Sequence, residues 1–507
     1  VVEWSWIQWG ELARLIISVV KKYAMSTDYF PVYSMTYVIC AYLRLSPCYN
    51  IHIRPINPFY KGEKNMKPHF RILLFGLVIL SVFLVAGCAQ QPATPEATEE
   101  TMATEETMAT EEPMAEEVTL TIGFTTSQTG RYETSSGRQV AGLKLWMDQV
   151  NAAGGVTLSD GTVVKFQDVT YDDESSTDRV QELYTRLATT DNADFLISPY
   201  SSGLTSASSI IAEQYGKVLI TTGAASDANY TQGYTQVFQI YTPASRYLSG
   251  AVDLLQSVDP NVSQVAFVYE NDQFSTDVVT AAKDYAESLG YEVVLYEGYD
   301  TETADFGPFI NKIEESGAQA ILGGGHFQDG STFARQLHEK GTAIPFITLL
   351  VAPPEPDFAE LGDAAFGVVG PSQWEPLAAF SAESAAAAGL DWFGLSGSEF
   401  VDAYMAAYNE EPSYHSAGGY AAGLVLQKAI EAADSTDPAA VKAQLDAMDM
   451  LTFYGHIKFE TDAAAHGLQI GHSMIYIQWQ RDADGNLAKQ VVWPLEGATA
   501  ETIYPIP

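Results

Sequence analysis

Past residue 88 the chain has no cysteine; its three, Cys40, Cys48 and Cys88, all fall in the first fifth of 507 residues. A disulfide framework and a thiolate metal site are therefore excluded from the main body. Positive charge is scarce as well, with 26 Lys and Arg against 64 Asp and Glu and a formal net charge of −38. The deficit is uneven. Residues 1–87 hold 9 basic and 4 acidic side chains, and the remainder holds 17 and 60, a net of −43. Such a surface repels nucleic acid and anionic lipid, so neither is an expected partner of the body. The eight histidines do not cluster at ligand spacing; His466 and His472, six apart across a glycine-bearing loop, make a poor zinc signal. There is no P-loop, no Gly-x-Ser-x-Gly and no His-Glu-x-x-His after Cys88, which weighs against an enzyme without excluding one. Asp172-Asp173-Glu174 lacks the spacing of an EF-hand loop and reads as a capped strand end. No metal and no cofactor is expected.

What is present begins with a hydrophobic content of 47%, ample for a sizeable core, in a length that suggests two to four domains. Residues 1–65 are aromatic-rich and broken by Pro31, Pro47, Pro55 and Pro58, and read as an extension outside the working protein. The rival is a membrane-proximal segment, although Ile16–Val20 and Met35–Leu43 are each too short to span a bilayer. Residues 66–87 have the form of a secretory signal: Lys67, His69 and Arg71, then the apolar run Ile72–Val85, then Ala86-Gly87-Cys88. Residues 88–117 form an acidic tether. Ala97-Thr-Glu-Glu-Thr-Met102 recurs as Ala103–Met108 and, with Pro113, as Ala109–Met114, and has nothing to bury.

The folded body opens near Val118. Its centre is the stretch Asp194–Ser226, in which two short apolar runs, Phe195–Ile197 and Val218–Ile220, predict buried parallel strands. Leu204, Ile210, Ile211 and Tyr215 recur between them at helical spacing. Each strand is followed by a small polar loop, at the strand ends where open α/β sheets bind ligands. Ser201, Ser202 and Gly203 precede the helix, so free N–H groups and hydroxyls there favour a carboxylate or another anion. The other view of Ser202 is a simple helix cap. Gly223–Ser226 has little side-chain bulk, so a ligand could reach its backbone. The same alternation continues through strands at Gln264–Tyr269, Glu292–Tyr296, Ala320–Leu322 and Phe346–Leu349, with helices at Asp277–Leu289 and Phe333–Leu337. Later helices are expected over Glu399–Tyr408, Ala417–Ala432 and Pro438–Met448, with Tyr414-His415 between the first two.

The order and spacing of these loops resemble the type I periplasmic binding proteins of the leucine/isoleucine/valine-binding class, over about the last 390 residues. The resemblance implies an α/β, two-lobed type I fold, each lobe a mostly parallel sheet flanked by helices, with three hinge crossings. Residues 118–241 and 375–451 would form lobe 1, and 242–374 and 452–507 lobe 2. Val85-Ala-Gly-Cys88 resembles a bacterial lipoprotein signal, with Cys88 as the lipidated residue and the body held outside the cytoplasm. The function implied is that of a monomeric receptor for an amino acid or small amide-like solute, delivered to an ABC permease and its ATPase. A sensory ligand domain and a small-solute enzyme are the alternatives.

By the same resemblance Ser202, Ala224, Ala225 and Ser226 hold the solute's polar end, Tyr132 covers it, and Phe274, His326 and Phe327 face it from the second lobe. Trp374 would line the cleft or pack the hinge. The acidic residue that pairs the ammonium in relatives should fall near Leu350, which with Val351 is apolar here; Asp329 or Glu355 would replace it.

Overall fold

A computed structural model describes residues 116–507. The extension, the signal with Cys88 and the tether up to residue 115 lie outside the described residues. The first sheet contains β1 (Glu117–Thr126), β2 (Val156–Thr157), β3 (Val163–Asp172), β4 (Phe195–Ile197), β5 (Leu219–Thr221) and β6 (Val237–Gln239). Their order is β2-β3-β1-β4-β5-β6, and every pairing except β2–β3 is parallel. Parallel strands covered by helices are buried on both faces, which accounts for the unbroken apolar runs of β4 and β5. Helices α1 (Glu133–Ala152), α2 (Thr177–Thr189) and α3 (Ser202–Tyr215) make the crossovers. In α2 the buried positions Val180, Leu183, Tyr184 and Leu187 fall three and four apart, and Ser176 caps its start by accepting from the N–H of Arg179.

The chain then enters a second sheet through α4 (Ser249–Val258), β7 (Gln264–Glu270), α5 (Gln273–Ser288), β8 (Glu292–Tyr299), α6 (Gly307–Ser316), β9 (Ala320–Gly324), α7 (Phe327–Lys340), β10 (Phe346–Leu349) and β11 (Val369–Ser372). It next builds α8 (Ala382–Ala388), β12 (Asp391–Trp392), α9 (Gly397–Tyr408), α10 (Tyr414–Ala433), α11 (Pro438–Asp446), β13 (Asp449–Thr452) and β14 (Gly455–Lys458), whose strands form a separate three-stranded sheet. Finally β15 (Ile475–Arg481) and β16 (Leu487–Trp493) rejoin the second sheet, antiparallel, in the order β16-β15-β11-β10-β9-β7-β8. This is the expected two-lobed, mostly parallel α/β architecture.

Particular elements differ from expectation. The boundary placed at residue 452 falls inside the β13–β14 hairpin, and the N–H of Gln239 donates to the carbonyl of Gly467 at 2.8 Å, so this stretch stays against the first sheet until Ile475. Tyr414 and His415, expected between helices, are the first residues of α10, because Ser413 caps that helix by accepting from the N–H of His415. Helices α2, α4, α6 and α8 were not anticipated; α6 carries Pro308 in its first turn, where proline needs no donor partner.

Helix α10 lies on α1 with backbone against backbone. A Cβ at Gly142 would overlap the carbonyl oxygen of Ser416, and one at Gly419 would overlap that of Gln139. Only glycine permits that approach, and it brings α10 under the first lobe. Between the lobes, residues 242, 373 and 472 run side by side. Gln373 Oε1 accepts from the N–H of Thr242 at 2.8 Å, and the Thr242 hydroxyl meets His472 Nδ1 at 2.8 Å. His472 Nε2 lies 3.0 Å from the carbonyl of Tyr454, so the neutral ring donates there and accepts from Thr242.

Candidate functional site

The loops after β4 and β5 are stitched together before any solute is considered. Ser201, in extended conformation, is the cap residue of α3, and Ser202 is its first helical residue. Ser202 does not cap the helix. Its Oγ accepts from the N–H groups of Ala225 and Ser226, at 3.1 Å each, and so joins the two loops while its own O–H stays free to donate. Gly223 (φ +81°) completes the second loop; a Cβ there would run into Gln139 and Tyr200.

These loops form one wall of a small, partly open cavity of about 10 Å³. Tyr200, Ser201, Ser202 and Ala225 line it from the first lobe, and Phe274, His326 and Val351 from the second. Tyr241 and Tyr247, where the chain passes between sheets, and Tyr414 and His415 of α10 close it. The lining is thus largely aromatic, with hydroxyls and imidazoles set among the rings, a make-up suited to a small-molecule site.

Polar contacts cross from lobe to lobe around this cavity. The Tyr200 hydroxyl lies 2.7 Å from His326 Nδ1, and His326 Nε2 lies 2.8 Å from Asp272 Oδ2. Burial raises the Asp272 carboxyl, but the neighbouring His326 outweighs it and the net displacement is downward. His326 Nε2–H donates to Asp272, and its Nδ1 shares a hydrogen bond with the Tyr200 hydroxyl. Arg131, ahead of α1, ion-pairs with Glu270 and comes within 3.8 Å of Asp272. Glu270, Asp272 and His326 could jointly offer ligand atoms to a metal ion, all within 4.8 Å of one another. The guanidinium of Arg131 already supplies a cation there, so the chain itself answers the cluster's charge.

A second crossing contact is deeper. Glu355, which follows β10, is fully buried and pairs with Arg138 of α1 and with Nδ1 of His415. Burial would raise its carboxyl, yet His415 and Arg138 together hold it down to about 2. Burial in turn lowers His415 below its ordinary value. Arg138 also reaches Asp357 at 3.0 Å. His415 Nε2, the Tyr241 hydroxyl and Ser201 Oγ are buried without a partner, and all three residues line the cavity.

Of the residues singled out from sequence, Ser202, Ala225, Phe274 and His326 meet at this cavity. Tyr132 packs edge-on against His326 and Tyr200, with ring centres 4.8 and 5.4 Å away, and burial pushes its hydroxyl up to about 12. Ala224 is buried behind the loop, its carbonyl 3.3 Å from Gln239 Nε2. Ser226 reaches across to the second lobe, donating to Asp277 and accepting from Gln273 Nε2 at 2.9 Å, but does not line the cavity. Phe327, the first residue of α7, is half-buried and packs against the second lobe's own core. Trp374 is packed between Phe400 and Phe453. Asp329 caps the N–H of His326 at 2.8 Å and accepts from the Tyr299 hydroxyl at 2.5 Å, so neither it nor Glu355 presents a free carboxylate.

Sequence reasoning missed Tyr200, Tyr241, Tyr247, Arg138 and the role of His415, and singled out Glu355 without its partners. The only local signal was the placement of Tyr200 directly before Ser201-Ser202 and of His415 at a helix start.

Comparison with known proteins agrees with this geometry. A family model described as periplasmic binding protein matches residues 119–486. The Leu/Ile/Val-binding protein homolog 8 of Brucella abortus is 26% identical over 382 residues, covering 71% of this chain and 87% of that protein. Among solved structures, the branched-chain amino acid transporter substrate-binding protein LivJ of Streptococcus pneumoniae, in complex with isoleucine, superposes with a TM-score of 0.60 at 22% identity. That match covers 74% of this chain and 99% of LivJ. A solute-binding protein of an ABC transporter from R. palustris, in complex with 4-hydroxybenzoate, gives 0.62 at 18% identity over 77% of this chain and 98% of its own.

Proposed function

We propose, for a chain that belongs to the periplasmic binding protein family, the work of an extracytoplasmic solute receptor of an ABC importer. The family and the relatives are solute-binding proteins and not enzymes. Among the described residues no helix is long and apolar enough to cross a membrane. The observation that carries the proposal is that Ser202 of one lobe and His326 of the other line the same small cavity. The solute is a small amino acid of the branched-chain or hydrophobic type, or an amide-like compound. Ser202 and the α3 N-terminus hold its polar end, with Ala225, Phe274 and His326 around it and Tyr132 covering the rings. Ala224 and Ser226 shape the loop, and Phe327 supports His326 from behind.

The passages near Thr242, Gln373 and His472 serve as the hinge of three crossings. Bound solute adds second-lobe contacts only when the lobes are shut, and that difference in affinity drives closure. Cleavage before Cys88 and its lipidation would moor a monomer through the acidic tether, beside the permease and ATPase that receive the solute. A thermal-shift screen of amino acids, amides and short organic acids tests the proposal, since a solute bound only by the folded form raises the melting temperature. A family of such small compounds should do so; stabilisation by none of them would reject it.

A further inference from the structure

Each carboxylate nearest the cavity already has a partner in the chain. Glu355 is taken by Arg138 and His415 and Asp272 by His326; Glu270 pairs with Arg131 through Oε1, its Oε2 being buried without a partner, and none of these three acids lines the cavity. An ammonium group carried into this cavity would leave water and meet no anion, which costs far more than burying a hydroxyl or an amide. What the cavity does offer is a set of unsatisfied polar atoms: the hydroxyls of Ser201 and Tyr241, the free O–H of Ser202, and His415 Nε2. Three are donors suited to a carboxylate or carbonyl. The fourth is of another kind. His415 is held by Glu355 through Nδ1, so Nε2 is the only polar side-chain atom of that residue left for a ligand.

We infer that His415 is a specificity-determining residue, whose Nε2 accepts a hydrogen bond from an uncharged N–H or O–H of the solute, so that the cleft selects small amides and α-hydroxy acids over α-amino acids. The inference rests on the receptor function proposed above and narrows its solute. Burial holds the imidazole below its ordinary value, which keeps it neutral at neutral pH, with Nδ1–H donating to the Glu355 carboxylate and a lone pair on Nε2. Arg138 has a positioning role: it keeps Glu355 ionised and so fixes the tautomer of His415.

Calorimetric titration of the full chain with matched compounds tests this. The probes are leucine, its α-hydroxy counterpart and isovaleramide, then phenylalanine and phenyllactate. The expected result is that an uncharged member of a set binds at least tenfold more tightly than the amino acid of the same skeleton. His415→Asn keeps a donor for Glu355 but removes Nε2, and should weaken that solute about tenfold. His415→Gln places an amide oxygen near the position of Nε2 and should recover part of the loss. Tighter binding of the amino acid, or unchanged affinity in His415→Asn, would overturn the inference and leave the receptor function standing. Failure of every probe to bind would count against both. Should the variants not fold, the comparison of matched compounds on the unaltered chain decides alone.

Discussion

Arg138→Met is the most revealing single change, because it removes one charge from a buried pair that spans the lobes. Arg138 sits on α1 of the first lobe and is 7% exposed; Glu355 follows β10 of the second and is fully buried. Holding the Glu355 carboxyl at about 2 instead of its usual 4.5 corresponds to about 3 kcal/mol of pairing at neutral pH. His415 and Arg138 share that figure, His415 the larger part, so Arg138 carries only a portion of it. Asp357, 43% exposed on its side chain, adds little. Methionine keeps much of the apolar stem and leaves Glu355 without its counterion. The least costly relief is to open the lobes and rehydrate the carboxylate, so the loss should appear as opening and not as unfolding of either lobe. Losing Arg138's share, less than about 3 kcal/mol, shifts the balance of closed to open forms by up to roughly a hundredfold. Small-angle scattering of the variant should show a larger radius of gyration than the parent, and calorimetry a solute affinity reduced by up to the same factor. Unchanged scattering together with unchanged affinity would refute the reasoning.

Other outcomes follow from the same geometry. The Glu355 pairing is fully present above pH 4.5 and is lost as pH falls through about 2, so acid should open the cleft of the parent but have less left to open in Arg138→Met, as scattering against pH would register. His472 is held at about 4 by burial, against an ordinary 6.5; the unfolded chain therefore binds the extra proton between those values, and about 3 kcal/mol of stability should drain away as pH falls through that window. Melting curves of His472→Gln should be flatter across it. Gly419→Ala forces a methyl into the carbonyl of Gln139, and urea unfolding should show a loss of about 1–3 kcal/mol or more. Tyr200→Phe removes the hydroxyl contact to His326 and should cost about 1 kcal/mol, about fivefold in solute affinity by calorimetry.

Much of the fold could be read from period alone. The apolar runs of β4 and β5, each too short for a helix and followed by small polar residues, placed the strand-end loops correctly, and those loops do converge. What escaped was set by partners distant in the chain. Ser202 looks like a cap until Ala225 and Ser226 are folded against it, 23 and 24 residues on. His326 and Phe327 are adjacent and were equally eligible; the start of α7 between them sends one into the cavity and the other against the lobe's core. Glu355 was singled out as a spare acid, but its role depends on Arg138, 217 residues earlier, and His415, 60 residues later, and no local pattern marks that meeting.

The account stands or falls on whether one solute touches both lobes. The best-binding compound of the screen should be titrated by calorimetry into the parent, Ser202→Ala and His326→Phe. Ser202→Ala should lose a charge-assisted hydrogen bond of about 1.5–3 kcal/mol, roughly ten- to a hundredfold in affinity, and His326→Phe should also bind more weakly. Affinity unchanged in either variant would mean that the cavity between Ser202 and His326 is not where the solute is held.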